Sequence, residues 1–280
     1  MVQVPHGRPF SISNIAWPAH ADDEALDLAA ALGFDGVELA PGKVFGDLAT
    51  ISLDQVRVYR RHVEGRGLAI SALQAIFFNV EGVHLFQSDA SRQRMAAHLG
   101  RVAEVAAELG AQACVFGAPA LRDPGKLSAS DAEAIATTFL SSVADRYAAL
   151  GVSLCFEANP PLYQCRFVTR TDEAFDLVER INQPGIALQL DTGTIFINGE
   201  NPGIIRDVEK RIGHFHISEP SLVPIGTSGA DHAALAATLR GSAYSGWMSI
   251  EMKAVDDWSN AVRDAYRTVL TTYGAASSTP

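Results

Sequence analysis

The run Gly151-Val152-Ser153-Leu154-Cys155-Phe156-Glu157-Ala158 decides the fold. Before it, residues 129–150 carry a helical pattern of apolar positions. Gly151 stands where a helix closes on a left-handed residue. An apolar run of strand length follows and ends in a carboxylate. The same order, helix then glycine then apolar run, recurs at Gly33, Gly67, Gly110, Gly185, Gly213 and Gly246. The runs are GVELA (36–40), LAISALQAIFF (68–78), ACVFGAP (113–119), VSLCFEA (152–158), IALQLDTG (186–193), HFHISEP (214–220) and WMSIEMK (247–253). FSISNIAW (10–17) precedes the first helix, which makes eight strand candidates.

The segments between them read as helices with one apolar face. Residues 23–32 place Ala25, Leu28, Ala29 and Leu32 on one side, and residues 89–109 place Met95, Leu99, Val102, Ala106 and Leu109. Residues 53–66, 129–150, 171–182 and 255–273 behave alike, and 201–210 and 231–240 are shorter. Such stripes are packing faces against a sheet. Alternating strand and helix implies a parallel sheet. Eight units predict a closed (β/α)8 barrel, whose usual length is about 250 residues. A doubly wound open sheet would show a glycine-rich phosphate loop after an early strand, and none occurs. Residues 1–280 are therefore expected to form a single α/β barrel domain, with 275–280 a frayed tail.

Composition narrows the function classes. The 280 residues are 48% hydrophobic, enough for a substantial core. The net charge is −10 with no basic run, which disfavours nucleic acid as a partner. Cys114, Cys155 and Cys165 lack disulfide or metal spacing, so a reducing compartment is expected. Residues 1–9 hold no apolar signal core. The longest apolar run, 68–78, is interrupted by Ser71 and Gln74 and is too short for a bilayer, which needs about 20 residues. These features predict a cytoplasmic protein with no membrane partner.

In a barrel of this kind the active site lies at the C-terminal strand ends. Strand five ends in Glu157, strand six in Asp191, strand seven carries His214 and His216, and strand eight carries Glu251. His214 and His216 are two apart and so share a strand face. Converging carboxylates in apolar surroundings repel unless a cation sits among them. A purely structural network is the competing reading. Three oxygen donors and one imidazole suit Mn²⁺, Mg²⁺ or Co²⁺, with Zn²⁺ still open.

The motifs GFDGVEL, FEANP, LQLDTG, HFHIS and SIEMK resemble the xylose-isomerase-like TIM barrels, the sugar isomerase and epimerase superfamily, most specifically over 151–253. The resemblance implies one divalent ion, Mn²⁺ first, held by Glu157, Asp191, His216 and Glu251. It implies Glu157 and Glu251 as the acid/base pair for proton abstraction alpha to a carbonyl, with a metal stabilising the enediolate. The implied activity is isomerisation or epimerisation of a sugar or keto-polyol, in a homodimer or homotetramer. A lyase dehydrating a keto-cyclitol or dehydroshikimate-like compound shares the first half-reaction. An apurinic endonuclease and a non-catalytic subunit are weaker alternatives.

Three positions depart from the ketose 3-epimerase pattern: Thr194 replaces a histidine, Leu222 an arginine and Tyr163 a glutamate. Substrate contacts are expected instead from Lys253, Asn159, Tyr163, Arg166, Arg122, Gln74 and His232. His214, Gln189 and Glu38 are expected to support the ligands from behind. Residues 220–229 read as a lid or substrate loop, Asp231 as a helix cap, and Trp17, Phe77 and Phe78 as an apolar wall.

Overall fold

A computed structural model describes residues 7–274. The expected frayed tail, and residues 1–6 of the amino-terminal segment, lie outside them. Eight parallel strands close into a barrel in chain order. They are β1 (Phe10–Ser13), β2 (Gly36–Leu39), β3 (Ala69–Leu73), β4 (Ala113–Phe116), β5 (Ser153–Glu157), β6 (Ile186–Asp191), β7 (Ile212–Ser218) and β8 (Met248–Glu251). Closure comes from β1 pairing with β8, Phe10 opposite Met248. Around them run α1 (Asp22–Leu32), α2 (Pro41–Phe45), α3 (Leu53–Glu64), α4 (Asp89–Leu109), α5 (Ala129–Ala149), α6 (Thr171–Ile181), α7 (Thr192–Asn198), α8 (Ile204–Val208), α9 (His232–Arg240) and α10 (Trp258–Tyr273).

The main core lies between barrel and helices. Leu99, Val102 and Ala106 of α4, Leu140 and Ala144 of α5, and Leu177 and Val178 of α6 bury the stripes seen in the sequence. Serines start α3, α4 and α5: Ser52 and Ser88 form capping boxes with Gln55 and Ser91, and the Ser128 side chain accepts from the Asp131 amide. Inside the barrel the filling is unusually polar. Ser11, Ser13, Glu38, Ser71, Gln189, His214, His216 and Ser249 are all buried, where such barrels are ordinarily filled by branched apolar residues.

The structure corrects several boundaries. The run expected as a strand over 68–78 stops at Leu73, because Ala75 and Asn79 adopt positive φ of 49° and 60° and turn the chain. The segment 201–210 holds only the short α8 followed by a single 3-10 turn. Two short helices were not expected, α2 and α7. Gly185, Gly213 and Gly246 do not close helices; α6 is closed by Asn182, at φ 43°. Gly213 lies within β7 beside a register shift against β6, and a Cβ there would meet the Ala187 Cβ at 2.6 Å and the Cys155 Sγ at 2.7 Å. Among the described residues no helix is long and apolar enough to cross a membrane.

Candidate metal centre

The register shift at Gly213 sets which β7 side chains face inward. His216 pairs with Asp191 across the strands, and His214 with Gln189. Both histidines meet Glu38 of β2, which crosses the barrel interior to reach them. His216 Nε2 lies 3.0 and 3.1 Å from the two Glu38 oxygens, and His214 Nε2 lies 3.2 Å from Oε1. Ser249 Oγ donates a further bond of 2.8 Å to Glu38. Burial alone would push the Glu38 carboxyl up, but His216 and His214 hold it well below the usual carboxylate range. An ionised Glu38 therefore claims the Nε2 proton of His216 and turns its Nδ1 toward the rim.

That Nδ1 is buried and has no hydrogen-bond partner. It lies 3.2 Å from Glu251 Oε2 and 3.6 Å from Glu157 Oε1. One oxygen of Asp191, one of Glu251 and a ring nitrogen of His216 fall within 4.8 Å of one another. A buried imidazole nitrogen aimed between carboxylates fits a divalent cation, and Glu157, Asp191, His216 and Glu251 are the residues that could hold it. Glu38, His214 and His216 form a second cluster of the same tightness. There His216 Nε2 is hydrogen-bonded to Glu38, while His214 Nε2 makes only an ion-pair contact with the same carboxylate, and this deeper group lies behind the upper one.

Each carboxylate is fixed by a different device. Asp191 accepts bonds from the Thr194 amide at 2.9 Å, the Thr194 hydroxyl at 3.1 Å and the Gly193 amide at 3.3 Å, and from the Ser218 hydroxyl. It thereby caps α7 while its strand presents it to the rim. Glu157 Oε2 accepts from Asn159 Nδ2 at 2.8 Å, and Asn159 Oδ1 accepts from Arg122 Nη2 at 2.8 Å. Gly117 leaves room for this carboxylate, since a Cβ there would lie 2.5 Å from Oε2. Burial and the neighbouring Glu157 and Asp191 push Glu251 up to about 7, against the pull of His216. Burial, then Glu157, raises Asp191 as well. His216 is lifted well above its ordinary value, because Glu38 and Glu251 outweigh the opposing effect of burial. The centre thus holds more negative charge than its surroundings neutralise.

Of the expected supporting residues, Glu38 and His214 sit directly behind His216, while Gln189 is buried one step deeper on β6 with its carbonyl oxygen unpartnered. Gln74 bonds Ser13 Oγ at 2.6 Å and lines a cavity with Glu157 and Glu251. The remaining expected substrate contacts scatter. Arg122 is fully buried, stacked 4.8 Å from the centre of the Phe156 ring, and reaches the rim only through Asn159. The Tyr163 hydroxyl accepts from the Ser221 amide at 2.9 Å. Arg166 is exposed and lies 3.4 Å from Asp123. Lys253 is exposed, its amide bonded to the Leu222 carbonyl at 2.8 Å. His232 is turned away from the centre, 3.3 Å from Glu219 and 2.8 Å from the Tyr273 hydroxyl. Glu219 also accepts from the Gly226 and Ser228 amides, so it pins the segment 220–229. Trp17 is buried and donates to Asp22 at 2.9 Å. Ser218, Gly117 and Gly193 escaped the sequence reading. Ser218 had a signal, two residues beyond His216 on one strand face.

Fold and site define a class: a closed parallel barrel with a glutamate, an aspartate, a histidine and a second glutamate gathered at its C-terminal rim. The sequence model of the xylose isomerase-like TIM barrels matches residues 26–271, and the chain belongs to that family. Among solved structures it is similar to a D-psicose 3-epimerase with D-tagatose from Clostridium cellulolyticum H10, at 16% identity and TM-score 0.82 over 95% of this chain and 100% of that one. It is similar to the 3-keto-D-glucoside 4-epimerase YcjR from E. coli, at 19% identity and TM-score 0.78 over 94% and 99%. It also resembles the IolI protein bearing a zinc atom, at 19% identity and TM-score 0.74 over 95% and 98%. No curated protein sequence matches the chain.

Proposed function

We propose that this protein is a divalent-metal-dependent isomerase or epimerase of a small sugar-like or keto-polyol compound. The observation that carries this reading is the His216 Nδ1, buried, without a hydrogen bond, and flanked by Glu251 at 3.2 Å and Glu157 at 3.6 Å. Glu157, Asp191, His216 and Glu251 would hold the ion. A bound divalent cation supplies Lewis acidity for charge developing on a carbonyl oxygen. Glu157 and Glu251 come from β5 and β8, which are not neighbours in the barrel. They can therefore address a carbon between them from two sides, one removing the proton alpha to the carbonyl and the other returning one. Return to the opposite face inverts that carbon; return to the adjacent carbon interconverts aldose and ketose. Asn159 fixes the Glu157 carboxylate, and the raised Glu251 can hold a proton near neutral pH. The structural relatives named above include two sugar epimerases, which supports a substrate of this class.

The test is deuterium uptake at carbon from D₂O, with the Mn²⁺-supplemented protein and a panel of ketoses and keto-polyols. Glu157→Gln and Glu251→Gln should each lower exchange by at least about a hundredfold. Full exchange in both variants would remove the assignment. Loss of water in place of exchange or inversion would move the protein to the lyase reading. Metal analysis showing no divalent ion bound after supplementation would sink the metal centre.

A further inference from the structure

Beside the two glutamates lies a cavity of about 330 Å³, and its far wall is apolar. The segment after β3 contributes Ile76, Phe77 and Phe78, and the segment around the end of β4 contributes Val115, Ala118 and Leu121. Gln74 is the one polar side chain besides Glu157 and Glu251 among its lining residues, and its amide already donates to Ser13. Phe78 is 63% exposed, an aromatic ring standing at the edge of the cavity without a covering partner among the described residues. Both wall segments are held in backbone conformations that L residues rarely adopt, with φ of 49° at Ala75 and 48° at Ala118. Strain of this kind persists where the surroundings over-determine it, and it gathers at ligand sites.

Several polar groups that could read a hydroxyl-rich tail already have partners within the protein, and neither they nor the exposed Lys253 line this cavity. Asn159 spends its amide nitrogen on Glu157 and its oxygen on Arg122. The Tyr163 hydroxyl is bonded to the Ser221 amide, Arg166 faces Asp123, and His232 is engaged at both ring nitrogens. A hydroxyl placed against Ile76, Phe77 and Leu121 would lose its water and gain no partner, which is unfavourable. A methyl or an aryl group would gain by leaving water.

Resting on the reading of Glu157 and Glu251 given above, we infer that the substrate is a hydroxycarbonyl compound bearing an apolar substituent beside its reacting carbon. The carbonyl and its neighbouring hydroxyl face the glutamates, and the apolar group fills the cavity against Ile76, Phe78 and Leu121.

Three probes sharing the head HOCH₂–CO–CHOH–R test this: erythrulose, with R hydroxymethyl, and its analogues with R methyl or phenyl. None forms a stable sugar ring, so the head is presented alike in each. Calorimetric titration of the Mn²⁺-supplemented protein should give dissociation constants at least about tenfold lower for the phenyl probe than for erythrulose, with methyl between them. Phe78→Ser, a change at an exposed side chain, should shrink that ratio to within about threefold. Erythrulose binding as tightly as the apolar probes, or no probe binding, overturns the inference. So does a preference untouched both by Phe78→Ser and by Ile76→Asn. Exchange of the C3 hydrogen in D₂O is read separately. Tight phenyl binding without exchange would leave the apolar site standing and remove the isomerase reading.

Discussion

Glu38 shows how a single residue far along the chain sets the chemistry of another. It lies at the end of β2, yet it fixes the His216 ring across the barrel and leaves Nδ1 aimed at Glu157 and Glu251. Replacing it by glutamine removes the charge that holds both imidazoles while keeping the shape. Glu38→Gln should weaken Mn²⁺ binding about 10- to 100-fold in calorimetry. An unchanged affinity, with circular dichroism intact, would show that the ring is oriented by packing alone. At this scale the sequence was legible where strand alternation applied: Glu157, Asp191, His216 and Glu251 all stand at strand ends that the pattern located. It was silent where one side chain needs the absence of another. Gly117 and Gly193 matter because a Cβ would strike Glu157 Oε2 at 2.5 Å and Ser218 Oγ at 2.4 Å, and those neighbours come from other strands.

Among the elements, glycines held at positive φ differ in what they do. Gly185 has φ +87°, and a Cβ would meet the Ala144 carbonyl oxygen of α5 at 2.3 Å. Gly199 has φ +60° with open space around it. Gly199→Ala should therefore cost only the left-handed penalty, about 1 kcal/mol. Gly185→Ala should cost about 3 kcal/mol, since α5 must shift as well. Urea unfolding of the two variants compares them, and equal costs would show that α5 gives way freely. Helix stripes and glycine stops placed the long helices α1, α3, α4, α5, α6 and α10 within a few residues. The short α7 was hidden because Asp191 carries two signals at once. It ends a strand, and it caps the next helix through the Gly193 and Thr194 amides. Read as a rim ligand, its capping role went unseen, although an aspartate before Thr-Gly-Thr is a legible start signal.

At the scale of the whole molecule, the acidic centre ties stability to pH, and the proposed metal would tie it to cation binding. Glu251 is raised from 4.5 to about 7, so the metal-free folded state holds a proton there that the unfolded chain has released. Between those values the stability of the metal-free protein falls as pH rises. The raised Asp191 acts in the same sense. The raised His216 contributes stability that is complete below its ordinary value and is lost as pH climbs through its folded one. Glu38 works in the opposite sense, with a contribution lost only in acid. A cation bound as proposed would replace those protons, so Mn²⁺ affinity should weaken by about tenfold per pH unit for each proton displaced as pH falls below 7. Thermal unfolding should show a larger Mn²⁺-induced gain at pH 8 than at pH 5.5, approaching about 2.7 kcal/mol at a hundredfold excess over the dissociation constant. A gain independent of pH would contradict a centre made of these carboxylates. What the sequence determined by itself was periodic: eight strand–helix units, their order, and the acids at the strand ends, because local spacing records which face of an element is buried. What only the tertiary structure decided was whatever depends on neighbours distant in the chain. It directed Asn159, Tyr163 and His232 onto partners within the protein, and of the residues expected as an apolar wall it set Phe77 and Phe78 beside the glutamates while burying Trp17 elsewhere. Closing the barrel sets those distances, and one-dimensional spacing carries no record of them.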